Sequence, residues 1–300
     1  MSKYHTPALL HESINGLAIK ENGIYVDVTF GGGGHSKEIL KNLKDGRLIA
    51  FDQDQEALEN NIVDPRFILV QQNFKYLKNF LKLHKALPVD GVLADLGISS
   101  HQINTAERGF STRFDGPLDM RMNKESKLSA ASVIQNYSEE KLIQIFRQYG
   151  EIKNAKNLAF KIVESRKEKP IKTTQELNSI CEKLVQERKR SKYLAQVYQA
   201  IRIEVNQELE VLKDFLKQSL DILTVDGRIA VISYHSLEDR LVKSFFKTGN
   251  FDGILEKDFY GNIIRPLQPV NNKIIIPSAE ELERNPRARS ARLRIATPTK

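Results

Sequence analysis

Four consecutive glycines, Gly31, Gly32, Gly33 and Gly34, lie between a run that reads as a strand and a run that reads as a helix. This junction constrains the chain more than any other stretch. Upstream, Gly23-Ile24-Tyr25-Val26 is short, β-branched and aromatic, the pattern of a buried strand closing on Asp27. Downstream, residues 36–43 carry apolar side chains at helical spacing, with Ser36 as the expected N-cap. Glycine allows positive φ and lets a ligand approach the main chain. The helix end adds N–H groups and a partial positive charge.

Two cofactor classes suit such a turn, and so does a purely structural tight turn. A dinucleotide site asks for G-x-G-x-x-G; Gly31 and Gly33 match, but Ser36 holds the third position. An S-adenosylmethionine (SAM) site asks for an acid ending the strand before the loop, and Asp27 stands there. A carboxylate at that point suits an ammonium and a sulfonium and repels a pyrophosphate. Asp52 ends the next apparent strand, 21 positions after Gly31, where an acid holds ribose hydroxyls in either class. The two acids together favour a nucleoside cofactor, with SAM ahead of NAD.

Around this loop the first hundred residues alternate strand and helix. Strands are expected at 47–51, 67–70 and 89–96, helices at 55–62 and 74–84. The alternation predicts βαβ units and a parallel sheet with helices on both faces. Asp27, Asp52 and Asp95 then all fall at carboxyl ends of strands, where such sheets bind ligands. After Ser100 the alternation stops. Residues 104–122 are loop-like, and helices are expected at 138–149, 154–166 and 174–189. A helix at 207–223, a strand at 228–233 and a last strand at 292–296 restore the sheet pattern. The expected organisation is one α/β domain, residues 1–103 and 207–300, interrupted by an all-helical domain at 104–206.

Charge separates the two parts. Of 46 Lys/Arg and 38 Asp/Glu, the stretch 104–206 holds 20 and 13, a net of +7 within a total of +8. The basic excess therefore coincides with the insertion and points to a polyanionic partner. A single cysteine, Cys181, excludes an internal disulfide and argues against a cysteine-rich zinc site. No apolar run approaches the roughly 20 residues of a spanning helix, and residues 1–5 lack a signal peptide's apolar core. His5, His11 and His35 share no metal-ligand spacing. A cytoplasmic protein without membrane anchor or resident metal is the expectation.

Three further stretches carry chemistry. Asp95-Leu96-Gly97-Ile98-Ser99-Ser100 closes the fourth strand without the Asp/Asn-Pro-Pro-Tyr of many amino-methylating enzymes, yet Asp95 can accept from an amine there. Residues 115–122, with Arg108 and Arg113, form a dense polar loop around Asp119. In Ser233-Tyr234-His235-Ser236-Leu237-Glu238-Asp239-Arg240, Ser236 and Asp239 read as an approximate capping box, and His235 as a group for base contact or proton handling. Near the end, five arginines fall within residues 284–294, suited to phosphate. Tyr193, Tyr198 and Phe110 lie among basic residues, where aromatics stack bases or fill a core.

Thr29-Phe30-Gly31-Gly32-Gly33-Gly34-His35-Ser36, the 95–100 stretch, Arg108-Gly109-Phe110-Ser111, residues 115–122, 199–209, 235–240 and 285–290 together resemble one family, in order and over almost the whole chain. It is the bacterial ribosomal RNA small subunit methyltransferase H family, which methylates cytidine N4 in 16S rRNA with SAM. The resemblance implies a class I, Rossmann-like methyltransferase sheet with a helical insertion that helps recognise substrate. It implies a cytidine in the decoding centre, near the P site of the small ribosomal subunit. The family's SAM contacts map onto Gly33, Gly34, His35, Asp52, Phe74, Asp95 and Gln102, beside the Asp27 read from the loop itself. Gly32 and His101 depart from the family's commoner residues. The catalytic residue does not carry over: Asp95 is the first candidate, with His235 and Asp119 behind it. The other function classes are an NAD-dependent oxidoreductase, a catalytically silent RNA-binding assembly factor, and a methyltransferase for DNA or a small molecule.

Overall fold

The computed structural model describes residues 7–271 and 273–299; the stretch 1–5, His5 included, lies outside them. The chain divides into two compact units, Met1–Gly97 with Leu209–Lys300, and Ile98–Glu208.

The first unit is built on a seven-stranded sheet. β1 (Ile24–Asp27), β2 (Arg47–Asp52), β3 (Phe67–Gln71), β4 (Val89–Asp95) and β5 (Leu223–Ser233) run parallel. β6 (Glu256–Lys257) and β7 (Ile263–Ile264) make a separate hairpin, and β8 (Leu267–Pro269) and β9 (Arg292–Pro298) complete the sheet antiparallel. The order is β3-β2-β1-β4-β5-β9-β8, the class I methyltransferase arrangement that the resemblance implies. Successive side chains of these strands enter opposite cores. Val26, Ile49, Phe51 and Val92 point into one; Tyr25, Leu48, Ala50 and Leu93 point into the other. Both faces need cover, which is why the strands read as unbroken apolar runs. Helices α1 (Leu10–Leu17) and α2 (Gly34–Asn42) cover the second core with Leu17, Ile39 and Leu40. α3 (Leu77–Leu83) covers the first with Leu77 and Leu81.

The second unit is helical: α4 (Ser100–Asn104), α5 (Ala130–Asn136), α6 (Glu139–Gln148), α7 (Ala155–Glu168), α8 (Thr174–Glu182) and α9 (Arg190–Asn206). The apolar stripes of α5 to α9 meet in one core that includes Phe146, Leu158, Ile162, Leu177, Val197 and Ile201. Ser138 caps α6 through the Lys141 N–H, and Thr173 with Glu176 forms a capping box on α8. Tyr193, Tyr198 and Phe110 also lie in this core, at most 7% exposed, so base stacking is not their role. Arg108 is buried too; its guanidinium donates to the carbonyls of Arg121 and Met122 and ties the 108–122 loop to itself. α10 (Glu208–Ile222), α11 (Ser236–Thr248) and α12 (Ala279–Arg284) return the chain to the first unit, where α10 and α11 add Phe215, Leu216, Val242 and Phe245 to the first core.

Several element boundaries differ from expectation. Residues 55–62 form a 3-10 turn, Gln55–Asn60, capped by the Asp54 carboxylate. Residues 174–189 break after Glu182 and resume as a 3-10 turn before α9, although neither Gly nor Pro marks the break. Gln207 takes φ +53 between α9 and α10, so the expected helix starts at Glu208, and its last residue, Leu223, already belongs to β5.

Candidate functional site

The sheet reverses its order between β1 and β4, and at such a switch point the crevice lies beyond the strands' carboxyl ends. The glycine loop begins there. Val28 N–H donates to the Leu93 carbonyl and Phe30 N–H to the Phe51 carbonyl, both at 2.9 Å, so the chain is gripped from both neighbouring strands after β1 has ended. Gly31 takes φ +52 and Gly33 φ +72. Gly33, not Ser36, is the N-cap of α2. A Cβ on Gly33 would meet the Phe30 ring at 2.9 Å, and one on Gly34 would run into Pro7. Gly33 needs glycine for conformation and for space, and Gly34 for space.

Ser36 lies inside α2 for a different reason: its hydroxyl donates to Asp27 Oδ2 at 2.7 Å, in full burial. Thr29 N–H holds the other Asp27 oxygen at 3.1 Å. Asp27 therefore braces the loop from within, and burial raises its pKa. Asp52 Oδ2 accepts from Gly31 N–H at 2.8 Å and Oδ1 from Asp54 N–H at 2.9 Å. Each oxygen retains a lone pair, enough for a pair of vicinal hydroxyls. Burial lifts the pKa of Asp52 to about 6 against those two donors.

Asp95 sits one strand from Asp27 on the other side, its N–H donating to Thr29 Oγ1 at 2.6 Å. Its Oδ1 accepts from the Tyr234 hydroxyl at 2.8 Å, while Oδ2 stands 3.7 Å from His35 Nδ1. Burial, then the carboxylates of Asp27 and Glu238, push Asp95 up to about 7, against the Tyr234 hydrogen bond. His35 is buried and held down at about 4, again by burial, so its imidazole is neutral at pH 7. Its Nε2 has no hydrogen-bond partner among the described residues. Phe74 follows Asn73, whose side chain caps the 3-10 turn and also binds Gln53; the Phe74 ring packs edge-on to Phe215 at 5.5 Å.

Thus Asp27, Gly33, Gly34, His35, Asp52 and Asp95 meet around one loop, with Phe74 after the neighbouring β3. Gln102 belongs to the helical unit, where it closes a capping box with Ser99 on α4. Asp119, in the same unit, is gripped by Arg121 Nε and Nη2 at 2.8 and 2.7 Å; burial works against ionisation, but these bonds prevail and its pKa is lowered. That suits a loop brace more than a proton acceptor. At the end of β5 the caps are displaced by one residue from the sequence reading. His235 is the N-cap of α11, with Glu238 completing the box. Asp239 instead pairs with Arg294 at 2.7 Å and Arg292 at 3.3 Å. His235 is thus engaged by α11's first turn. The residue that sequence reasoning passed over is Tyr234. Its position one past β5, beside β4 in the sheet, was the available signal.

The family model of the MraW methylase family matches residues 2–299. Ribosomal RNA small subunit methyltransferase H of Christiangramia forsetii is 59% identical over 297 residues, covering 99% of this chain and 98% of its own. The proteins of that name from Flavobacterium johnsoniae and Bacteroides thetaiotaomicron are 58% and 53% identical, each over 98% of this chain and 97% of their own. With a match over nearly every residue and relatives this similar from end to end, the chain belongs to the MraW methylase family.

Proposed function

We propose that this chain transfers the methyl group of SAM to the exocyclic N4 of a cytidine in the decoding centre of 16S rRNA, near the P site. The observation that carries the reading is the set of three acids, Asp52, Asp27 and Asp95, closing three adjacent parallel strands around the glycine loop. The residues fit SAM: Asp52 presents acceptors for the ribose hydroxyls, the loop at Gly31 has open space where a side chain would stand, and His35 offers a buried Nε2 with no hydrogen-bond partner among the described residues. When bound, SAM supplies a methyl already activated on a sulfonium.

The chain's remaining task is alignment and electrostatics. The cytosine amine is a poor nucleophile, since its lone pair is delocalised into the ring, so holding it in line with the methyl and sulfur yields most of the acceleration. Asp95 is the acceptor for the amine protons as charge develops. Tyr234 fixes one of its oxygens and leaves the other for the substrate. Asp119 and His235 remain alternatives of lower rank, because Arg121 and Glu238 already engage them. The target base must leave any stack to reach the pocket. The basic helical unit supplies phosphate contacts on the small ribosomal subunit. No helix among the described residues is long and apolar enough to cross a membrane, in keeping with a cytoplasmic site of action on ribosomes.

The test is to incubate the protein with methyl-labelled SAM and small subunits lacking the modification, then map the label. Label on a single cytidine N4 near the P site is expected. No transfer, or transfer to another atom or another RNA, overturns the reading.

A further inference from the structure

A cleft of about 320 Å³ opens on the first unit, lined by residues that include Tyr234, His235, Ser236, Arg289, Ser290 and Arg292. Register fixes its place. Asp95 of β4 pairs with Ile232 of β5, and Ser233 of β5 pairs with Arg292 of β9. The cleft therefore lies on the same edge of the sheet as Asp95, two strand spacings away, or roughly 10 Å at 4.7–4.9 Å per strand. One wall, Tyr234, touches the Asp95 carboxylate directly.

The charges of the cleft are unequal in what they are free to do. Arg292 and Arg294 are held by Asp239. Arg289 has neither an acidic nor a hydrogen-bonding partner among the described residues, and it is exposed. It is not on a loose strand of chain. The turn Pro286–Ser290 that carries it is pinned by buried Asn285, Ala288 and Ala291, with main-chain bonds from Ala288 to Asn285 at 3.0 Å and from Ala291 to Ala288 at 2.8 Å. A guanidinium with no counter-ion among the described residues, mounted on a pinned turn that lines a cleft, is suited to a bidentate anion. The lining adds apolar surface from Pro277 and Leu282, which suits a sugar beside that anion.

We propose that this cleft binds the ribose-phosphate next to the target nucleotide on a single RNA strand, with Arg289 contacting the phosphate. The proposal rests on the methyltransferase reading above. It places the strand along the sheet edge, so that a base held at Asp95 and its neighbour's phosphate at Arg289 are engaged together.

The experiment compares wild type, Arg289→Ala and Arg289→Lys in steady-state methylation of unmodified small subunits, across a range of salt concentrations. Lys82→Ala, an exposed cation on α3, controls for lost net charge. For Arg289→Ala, KM for the subunit should rise about tenfold with kcat at saturation nearly unchanged. The slope of log KM against log salt should shallow by about 0.7, the share of one single-strand phosphate contact. Arg289→Lys should restore the slope but only part of KM, since lysine binds phosphate as a point charge. SAM affinity should be unchanged throughout. A wild-type KM and salt slope in Arg289→Ala overturn the proposal, as does an equal effect of Lys82→Ala. A wild-type protein that transfers no methyl overturns the methyltransferase reading instead, so the two failures are distinct.

Discussion

Replacing Tyr234 with Phe removes one hydroxyl and leaves the ring that packs over Gly97, where a Cβ would meet Tyr234 at 3.4 Å. The hydroxyl donates to Asp95 Oδ1 at 2.8 Å. A hydrogen bond to a charged group contributes about 1.5–3 kcal/mol, and one pKa unit corresponds to about 1.4 kcal/mol. The loss therefore raises the Asp95 pKa by about one to two units from about 7. The other groups facing Asp95 push it the same way or not at all: Asp27 and Glu238 raise it, and the His35 imidazole is neutral. If the carboxylate must be ionised to accept from the amine, activity rises with pH through this pKa. At pH 7 the ionised fraction falls from about half to between about a tenth and a hundredth, so transfer slows roughly 5- to 50-fold. Near pH 9.5 most of the deficit disappears. The assay is single-turnover methyl transfer at saturating SAM and subunits from pH 5.5 to 9.5. An acid limb that coincides with wild type refutes the assignment. So does a uniform loss at every pH, which would mark Tyr234 as packing alone.

Two other substitutions and one charge reversal probe the remaining assignments. Asp52→Ala should weaken SAM binding by about 1–3 kcal/mol, read by calorimetry; unchanged affinity removes Asp52 from the site. Asp95→Asn should slow single-turnover transfer by two to three powers of ten, on the order of losing one electrostatic stabiliser, with SAM affinity changing far less; a near-normal rate sends the role to His235 or Asp119. The same substitution should stabilise the protein without cofactor. A carboxyl raised in the folded state contributes stability that is full below about pH 4 and lost as pH climbs through 7, so urea unfolding of Asp95→Asn should lose that pH slope. Reversing the charges of exposed Arg188 and Lys189 and of neighbouring Arg190 should flatten the salt dependence of subunit binding while leaving SAM binding intact; a wild-type slope would make this run an ordinary solvated helix end.

The sheet was legible because its strands are buried on both faces. Unbroken apolar runs closing on Asp27, Asp52 and Asp95 gave strand positions to within a residue, and the loss of alternation after Ser100 gave the change of architecture. Helix ends were less legible, because capping depends on where the first turn begins. Ser36 and Ser236 are good caps in isolation, yet Gly33 and His235 occupy those places. In each case a buried acid decides the matter: Asp27 draws the Ser36 hydroxyl inward, and Glu238 reaches back to the Tyr234 and His235 main chain. The sequence leaves Tyr193, Tyr198 and Phe110 between base stacking and core, since basic neighbours say nothing about which way an aromatic faces, and all three are core. Tyr234 was easy to pass over because its partner is 139 residues away and is brought to it only by the pairing of β4 with β5.

The kind of partner, not its distance along the chain, separates the acids at the strand ends from other acids of the protein. Asp64, Asp119 and Asp239 are each neutralised by an arginine within the chain, at 2.6–2.7 Å. Asp27, Asp52 and Asp95 form no such pair with Lys or Arg among the described residues; their partners are main-chain N–H groups, hydroxyls and a neutral imidazole. Burial raises all three, and Asp27 adds to the rise at both of the others. A fold that seats three uncompensated carboxyls at one strand edge carries an electrostatic cost without a cation nearby, and a bound ammonium and sulfonium relieve it. A pyrophosphate would add negative charge to that edge. The glycine loop alone admits either ligand; acids without a Lys or Arg partner among the described residues favour the cationic one.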